Sequence, residues 1–256
     1  IVKVTSPKDE SLNRPSRISK DKSTKKIVKK ITQPAVVNRK DIKVKFPTSA
    51  NHSTVNPIWN GDTVYLIGGG PSLSNFNWSS LNGKKTIAIN KAILHYPQAD
   101  VMYWTDGRVY TWYKDDIDNY EGLKYTIRGG KHYNDSKSKV HVLKRGNKFG
   151  LEKAKDTLAH GNNSGYAAIN LAVHLGAKKI VLLGYDMGSN GKLSHFHNGY
   201  PVNPTAAKIY NDQFIPGFEY LKSELDVIGV KVFNACPTSK LNTFPKISIE
   251  EALSFR

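Results

Sequence analysis

The chain has 256 residues, 39% of them hydrophobic, and 38 Lys and Arg against 21 Asp and Glu give it a net charge of +17. Its apolar runs all fall short of the roughly 18–20 residues that a bilayer-spanning helix needs. Cys236 is the only cysteine, which excludes an intrachain disulfide and a cysteine zinc cluster, while positive charge on this scale favours phosphate-rich partners such as nucleic acid, anionic lipid or glycan, or nucleotides.

The charge is uneven. Residues 1–60 hold 14 Lys and Arg against 4 Asp and Glu, densest at Lys22, Lys25, Lys26, Lys29 and Lys30. Pro7, Pro15, Pro34, Pro47 and Pro57 interrupt every long element there. This composition reads as an extended basic arm with one short helical turn near residues 21–31. Its polar, lysine-rich start is unlike a secretory leader. The arm is either a solvated linker or a segment that lies along nucleic acid or another polyanion without reading sequence. The folded domain is expected over residues 61–256.

That domain is organised by DTVYLIGGGPSLS, residues 62–74. Val64, Tyr65, Leu66 and Ile67 form a β-rich apolar run with no breaker, the pattern of a buried parallel strand. It ends in Gly68, Gly69 and Gly70, which let a ligand approach the backbone without Cβ atoms in the way. Pro71 suits the first turn of the next element, and Ser72 offers a hydroxyl to a phosphate or to a free helix N–H. The run is not a dinucleotide fingerprint, since Leu73 stands where the third glycine belongs, and no G-K-[S/T] makes it a P-loop.

Downstream, residues 75–81 read as a short connection or helix, and residues 84–90 (KKTIAIN) and 100–106 (DVMYWTD) as strands, with a helix over 107–116. Two short strands are expected at 124–128 and 140–144. The polar turn HGNNSG at 160–165 opens a helix over 165–176 that Gly176 stops. Residues 179–186 (KIVLLGYD) form the most apolar strand. A polar loop over 187–204, an amphipathic helix over 205–228 bent at Pro216, a strand at 230–235 and a helix at 248–253 complete the chain.

Strands alternating with helices imply an α/β, Rossmann-like, doubly wound and mostly parallel sheet. In such sheets ligands collect at the strands' carboxyl ends. Here those ends carry the three glycines, Asn90, Thr105 with Asp106, and Tyr185 with Asp186. Asn90 and Asn163 suit a ribose or base edge, or simply a turn. Ser164, at a helix N-terminus, is a seat for phosphate or an ordinary N-cap. Asp186 could hold a ribose hydroxyl, orient a histidine, bind a metal or cap a turn. His195 and His197 lie two apart in LSHFHNGY; with no carboxylate or cysteine completing a usual ligand set, a general base is expected rather than a metal site. Tyr185 and Tyr200 could donate hydrogen bonds to a leaving phosphate. No G-x-S-x-G or other nucleophile motif appears.

The order of VYLIGGGPSL, AIN, a strand ending in WTD, NNSGYAAINLAVHLGAKKIVLLGYDM, a histidine loop and VFNACPTSKLNTF resembles glycosyltransferase family 42, the bacterial sialyltransferases, and the related MptE-like proteins, over about residues 62–245. The resemblance implies a Rossmann-like fold of the GT-A-like sialyltransferase type carrying the basic N-terminal arm as an addition. It implies that Gly68, Gly69, Gly70, Ser72, Asn90, Asn163, Ser164 and Gly165 bind the nucleotide of a CMP-sugar-like donor without a metal or other cofactor. A loop histidine, His195 before His197, would deprotonate the acceptor hydroxyl, and Tyr185 or Tyr200 would steady the leaving phosphate. Two positions depart from the family: Gly69 replaces an asparagine, and the strand ending at Thr105 and Asp106 lacks one.

The expected function is therefore transfer of a sugar to an acceptor hydroxyl. The basic arm points to a polyanionic acceptor such as modified DNA, in a cytoplasmic, phage-host or virion setting. The competing readings are MptE-like diphosphate transfer, with Asp106 and Asp186 on magnesium, and a non-enzymatic nucleic-acid-binding scaffold.

Overall fold

The computed structural model describes residues 52–127, 139–188, 194–202 and 205–255, all within the unit spanning Pro34–Arg256. Residues 1–51 of the basic arm, with the expected helical turn, lie outside the described residues. So do Arg128 and parts of the polar loop, residues 189–193 and 203–204.

In chain order the strands are β1 (Thr63–Ile67), β2 (Lys85–Ile89), β3 (Val101–Trp104), β4 (Leu123–Thr126), β5 (Val140–Val142), β6 (Lys144–Arg145), β7 (Thr157–Leu158), β8 (Lys179–Leu183) and β9 (Lys231–Asn234). Seven of them form one sheet in the order β5-β4-β3-β2-β1-β8-β9, with every pairing parallel. This is the expected doubly wound α/β sheet. The short β6 and β7 pair separately. All of β1 is buried because its alternate side chains enter two cores. Val64 and Leu66 pack with Ile87, Val101 and Ile180 on one face, while Tyr65 and Ile67 pack with Met102, Val181 and Leu183 on the other. A strand buried on both faces has no polar side to show, so its sequence reads as a continuous apolar run.

Helices α3 (Ser164–His174) and α5 (Gly217–Val227) supply the first core. Helices α1 (Gly107–Trp112) and α2 (Lys114–Asn119), with the C-terminal helix Ile249–Leu253, supply the second. The chain leaves β1 toward β2 on one side and reaches β8 on the other, so the strand order reverses between β1 and β8. Ile67 stands opposite Leu183, which brings the two turns out of the sheet side by side. Open sheets of this kind bind ligands at such a reversal.

Residues 75–81 form the short connection, one of the two expected alternatives, with a tight 3₁₀ turn at Trp78–Leu81. Local structure differs from the sequence reading in three places. Asn90 is not the last strand residue but opens a 3₁₀ turn, Asn90–Leu94, with φ +55°. The helix expected over 107–116 is divided at Tyr113, which leaves helical geometry. The helix expected over 205–228 begins as α4 (Ala207–Ile209), widens into a π-helical turn at Tyr210–Phe214 and resumes as α5. Pro216 explains the widening: its nitrogen cannot donate and its ring displaces the preceding turn, so Ile215 N–H reaches back five residues to the Tyr210 carbonyl at 2.9 Å.

Packing also reaches upstream of residue 61. Val55 and Trp59 are buried in the core, and the N–H groups of Ile58 and Trp59 donate to the Leu175 carbonyl at 3.0 and 2.9 Å. Gly176, at φ +105°, sits so close that a Cβ there would lie 1.9 Å from the Trp59 carbonyl oxygen. Gly176→Ala should therefore combine left-handed strain with a backbone clash and cost about 2–3 kcal/mol. Urea unfolding of the variant checks this; an unchanged midpoint would refute the docking of residues 52–60.

Candidate functional site

The turns leaving β1 and β8 are tied by their backbones. Gly68 N–H donates to the Leu183 carbonyl and Gly70 N–H to the Gly184 carbonyl, each at 2.8 Å. No side chain fits between them. A Cβ on Gly68 would come within 2.7 Å of the Gly184 oxygen, and one on Gly70 within 1.9 Å of Asp186 Oδ2.

Behind this tie, Asp186 accepts from Ser72 N–H at 3.0 Å and from Ser72 Oγ at 2.7 Å. Burial raises the Asp186 pKa, and the Ser72 hydrogen bonds oppose the rise. Ser72 and Asp186, expected to meet a ligand, instead face one another and do not line the cleft.

In front of the tie lies a cleft of about 770 Å³. It gathers Gly68, Gly69 and Gly70 with Asn90, Thr105 and Asp106 from three neighbouring strand ends. The first turn of α3, the β8 turn and the histidine loop close it through Asn163, Ser164, Gly165, Tyr185, His195, His197 and Tyr200.

Several of these residues have other work. Asp106 caps α1 by accepting from Arg108 N–H at 3.0 Å and also pairs with the Arg108 guanidinium. Thr105 Oγ1 is 2.9 Å from the Tyr103 hydroxyl. Asn163 Oδ1 caps α3 by accepting from Tyr166 N–H at 3.1 Å. The Tyr185 hydroxyl donates to the Gly165 carbonyl at 3.0 Å, and burial pushes its pKa well up. It is therefore not the free donor expected for a leaving phosphate. Gly165 is required by Tyr185, whose ring would lie 2.7 Å from a Cβ there.

Sequence reasoning missed the cations. Arg108 and Arg145 both line the cleft. Arg145 Nη2 lies 3.3 Å from His160 Nδ1 and from Asn162 Oδ1, and it makes no ion pair among the described residues. Among the described residues Asp106 is the only carboxylate in the lining, and Arg108 neutralises it. The signal for Arg145 was faint: one cation among 38, on a two-residue strand too short to show periodicity.

The histidine loop is pinned to the glycine turn by Phe196 N–H, which donates to the Gly69 carbonyl at 3.0 Å. Phe196 also packs on Trp78 and His95, with ring centroids 5.3 and 4.8 Å apart. Lys91, in the 3₁₀ turn after β2, donates to the Gly199 carbonyl at 2.9 Å and to Asn198 Oδ1. The His195 and His197 rings stack at 4.8 Å, and Tyr200 meets them edge-on at 5.2 and 5.0 Å. Ser194 Oγ lies 2.9 Å from His195 Nδ1. Burial, then the Lys91 charge, lowers the His195 pKa. Burial, then the charges of His195 and Lys91, depresses His197 further, to about 2. These are environments for neutral imidazoles.

Among the described residues no group of three or more His, Cys, Asp or Glu side chains is placed to hold a metal ion, and no helix is long and apolar enough to cross a membrane. No protein-family model matches the chain, and no curated protein does. Among solved structures, the sialyltransferase CstII from Campylobacter jejuni in complex with the substrate analogue cytidine-5'-monophosphate is similar at 17% identity, covering 74% of this chain and 86% of that one, with a TM-score of 0.45. The same enzyme in complex with CMP-3FNeuAc is similar at 16% identity, covering 76% and 88%, with a TM-score of 0.41. Both are likenesses of overall shape at low identity.

The histidine pKa values make acid stability a direct check. His197 titrates at about 2 when folded against 6.5 otherwise, so between those values the unfolded chain binds one more proton. Its contribution is complete above about pH 6.5 and is lost as pH falls, with a slope approaching about 1.4 kcal/mol per pH unit. His95 and His195 are depressed in the same sense. Denaturant midpoints should be level above about pH 7 and fall as the pH drops from 6.5 to 5, and His197→Gln should flatten that slope by about one proton.

Proposed function

We propose that this cleft binds a nucleotide-activated sugar and transfers the sugar to an acceptor hydroxyl without a metal. One observation carries the reading. The glycine turn and the first turn of α3 face a single cleft whose lining, among the described residues, holds two arginines and a single, already paired, carboxylate. Backbone N–H groups at a helix start, glycines that admit close approach and a guanidinium with no ion pair among the described residues together favour a phosphoryl group. The donors implied by the motif resemblance are CMP-sugars.

His195 serves as the base. It is neutral, it lines the cleft, and its pKa is less depressed than that of His197. An imidazole held near 2 takes protons poorly at neutral pH. In the proposed step His195 removes the acceptor proton, the oxygen attacks the anomeric carbon, and the bond from that carbon to the phosphate oxygen breaks. The bonding pair leaves with the phosphate, which Arg145 and the α3 N-terminus receive. The net charge of +10 on residues 1–60 favours an anionic acceptor, modified DNA among them.

A thermal-shift panel of CMP, UDP, GDP, ADP and their sugars, run with and without EDTA, tests the donor class. The expected result is an EDTA-insensitive rise in Tm with one nucleotide. Arg145→Ala should weaken that ligand roughly 10- to 100-fold. With the matching donor, His195→Ala should lower kcat by about 10²–10⁴ while leaving the ligand's thermal shift in place. No shift with any nucleotide, or full turnover by His195→Ala, would overturn the reading.

A further inference from the structure

Two polar atoms at the cleft, Asn90 Oδ1 and His197 Nε2, are buried with no hydrogen-bond partner among the described residues. The third such atom, Asn234 Oδ1, is not in the cleft lining. Leaving a buried polar group unpaired costs about 1–3 kcal/mol, so each asks for a cause. His197 is only 7% exposed, and water has little access to its ring.

The tautomer of His197 is set by its other nitrogen. Gly199 N–H is shared between the His197 carbonyl at 2.8 Å and Nδ1 at 3.1 Å, so Nδ1 is an acceptor and carries no proton. In a neutral imidazole the proton then sits on Nε2. Nε2 is thus a donor, and Asn90 Oδ1 is an acceptor. Tyr200 stands beside both. Its hydroxyl is hydrogen-bonded by the Asn90 side chain, and its ring meets His197 edge-on at 5.0 Å.

The space at Nε2 is small. A Cβ built on Gly69 would lie 3.4 Å from His197 Nε2 and 3.2 Å from His195 Cδ2. The missing side chain therefore leaves room for about one heavy atom between the glycine backbone and the two rings.

Resting on the nucleotide-sugar reading above, we propose that His197 Nε2–H and Asn90 Oδ1 together recognise one hydroxyl group of the donor, seated against Gly69. His197 donates to the hydroxyl oxygen, and the hydroxyl proton is donated to Asn90. A single oxygen that both accepts and donates satisfies the pair. A phosphate or carboxylate oxygen would put negative charge against Asn90 Oδ1, and an ammonium would meet the Nε2 proton. His197 is then a binding residue that holds its proton, and His195 alone transfers one. Burial and Lys91 reinforce this by keeping His197 neutral. The hydroxyl comes from the ribose or from the transferred sugar.

Two measurements on the full chain test the proposal. Two-bond ¹H–¹⁵N correlation spectra should show His197 neutral with the proton on Nε2 at pH 6. A proton on Nδ1, or an imidazolium, would overturn the assignment without any ligand. The second measurement is calorimetric binding of CMP, UDP, GDP and ADP, their 2'-deoxy forms and their sugars.

A roughly 10- to 100-fold loss on removing the 2'-hydroxyl would place the group on the ribose. Equal binding of ribo and deoxy forms, with tighter binding of the nucleotide-sugar, would place it on the sugar. In either case the discrimination should vanish in His197→Phe. It should also vanish in Asn90→Gly, which keeps the positive φ without strain, and in Gly69→Ala, whose methyl fills the space. Nucleotide binding in which all three variants discriminate as the wild type does would overturn this inference and leave the proposed function standing. A wild-type chain that binds nothing in the panel would overturn both.

Discussion

The site depends on a backbone tie between two parallel turns. Because Ile67 stands opposite Leu183, β1 and β8 release their chains at the same level, and the next hydrogen bonds run from Gly68 and Gly70 to Leu183 and Gly184. Side chains cannot enter that gap, since Cβ atoms on Gly68 or Gly70 would meet backbone or carboxylate oxygen. The tie fixes the Gly69 carbonyl, which takes the Phe196 N–H and so sets the height of the histidine loop. Sheet register thus determines where two imidazoles far along the sequence stand. Asp186 and Ser72 complete the tie from outside the cleft lining, where a half-buried carboxyl group held by an N–H and a hydroxyl fixes the glycine turn.

This arrangement explains what could be read from the sequence. Strands β1 and β8 were legible because burial on both faces leaves unbroken β-rich runs, and their glycine ends were legible because few other contexts call for three glycines in a row. The convergence of Asn90, Asn163, Ser164 and the histidines came from parallel topology, which the alternation of elements carries. The roles of individual polar residues were less legible. Ser72, Asp106, Asn163 and Tyr185 all stand where a ligand-binding residue would stand, yet each gives its side-chain hydrogen bonds to the protein. A strand's carboxyl end must stop a strand and start a helix, and that task uses the same Asp, Asn and Ser that bind ligands. Only the partner settles which task is performed, and for Ser72 the partner is 114 residues distant. Arg145 escaped notice for the opposite reason, since its two-residue strand and the π-helical turn at Tyr210–Phe214 are set by tertiary packing and have no periodic signature.

At Gly69 the packing above the turn is close. A Cβ there would lie 3.2 Å from His195 Cδ2 and 3.4 Å from His197 Nε2, so a methyl group needs the imidazoles to give only by a few tenths of an ångström, while a larger residue would displace them. The side chains that stand over Gly69 therefore come from a loop. That loop is secured by Lys91, Phe196 and Tyr200 rather than by strand register.

Lys91 has a second consequence through its charge. Together with burial, the larger cause, it lowers the pKa values of His95, His195 and His197, so the cleft holds neutral histidines. A phosphate in the cleft acts in the opposite direction, because a nearby negative charge favours the protonated imidazole. In the proposed reaction His195 is unprotonated when the donor arrives, as a base must be. The imidazolium it becomes is then stabilised by the charge released on the leaving phosphate. Lysine and phosphate therefore act on the same imidazole at different stages: the lysine keeps the base free beforehand, and the phosphate offsets the lysine's repulsion as the proton is taken.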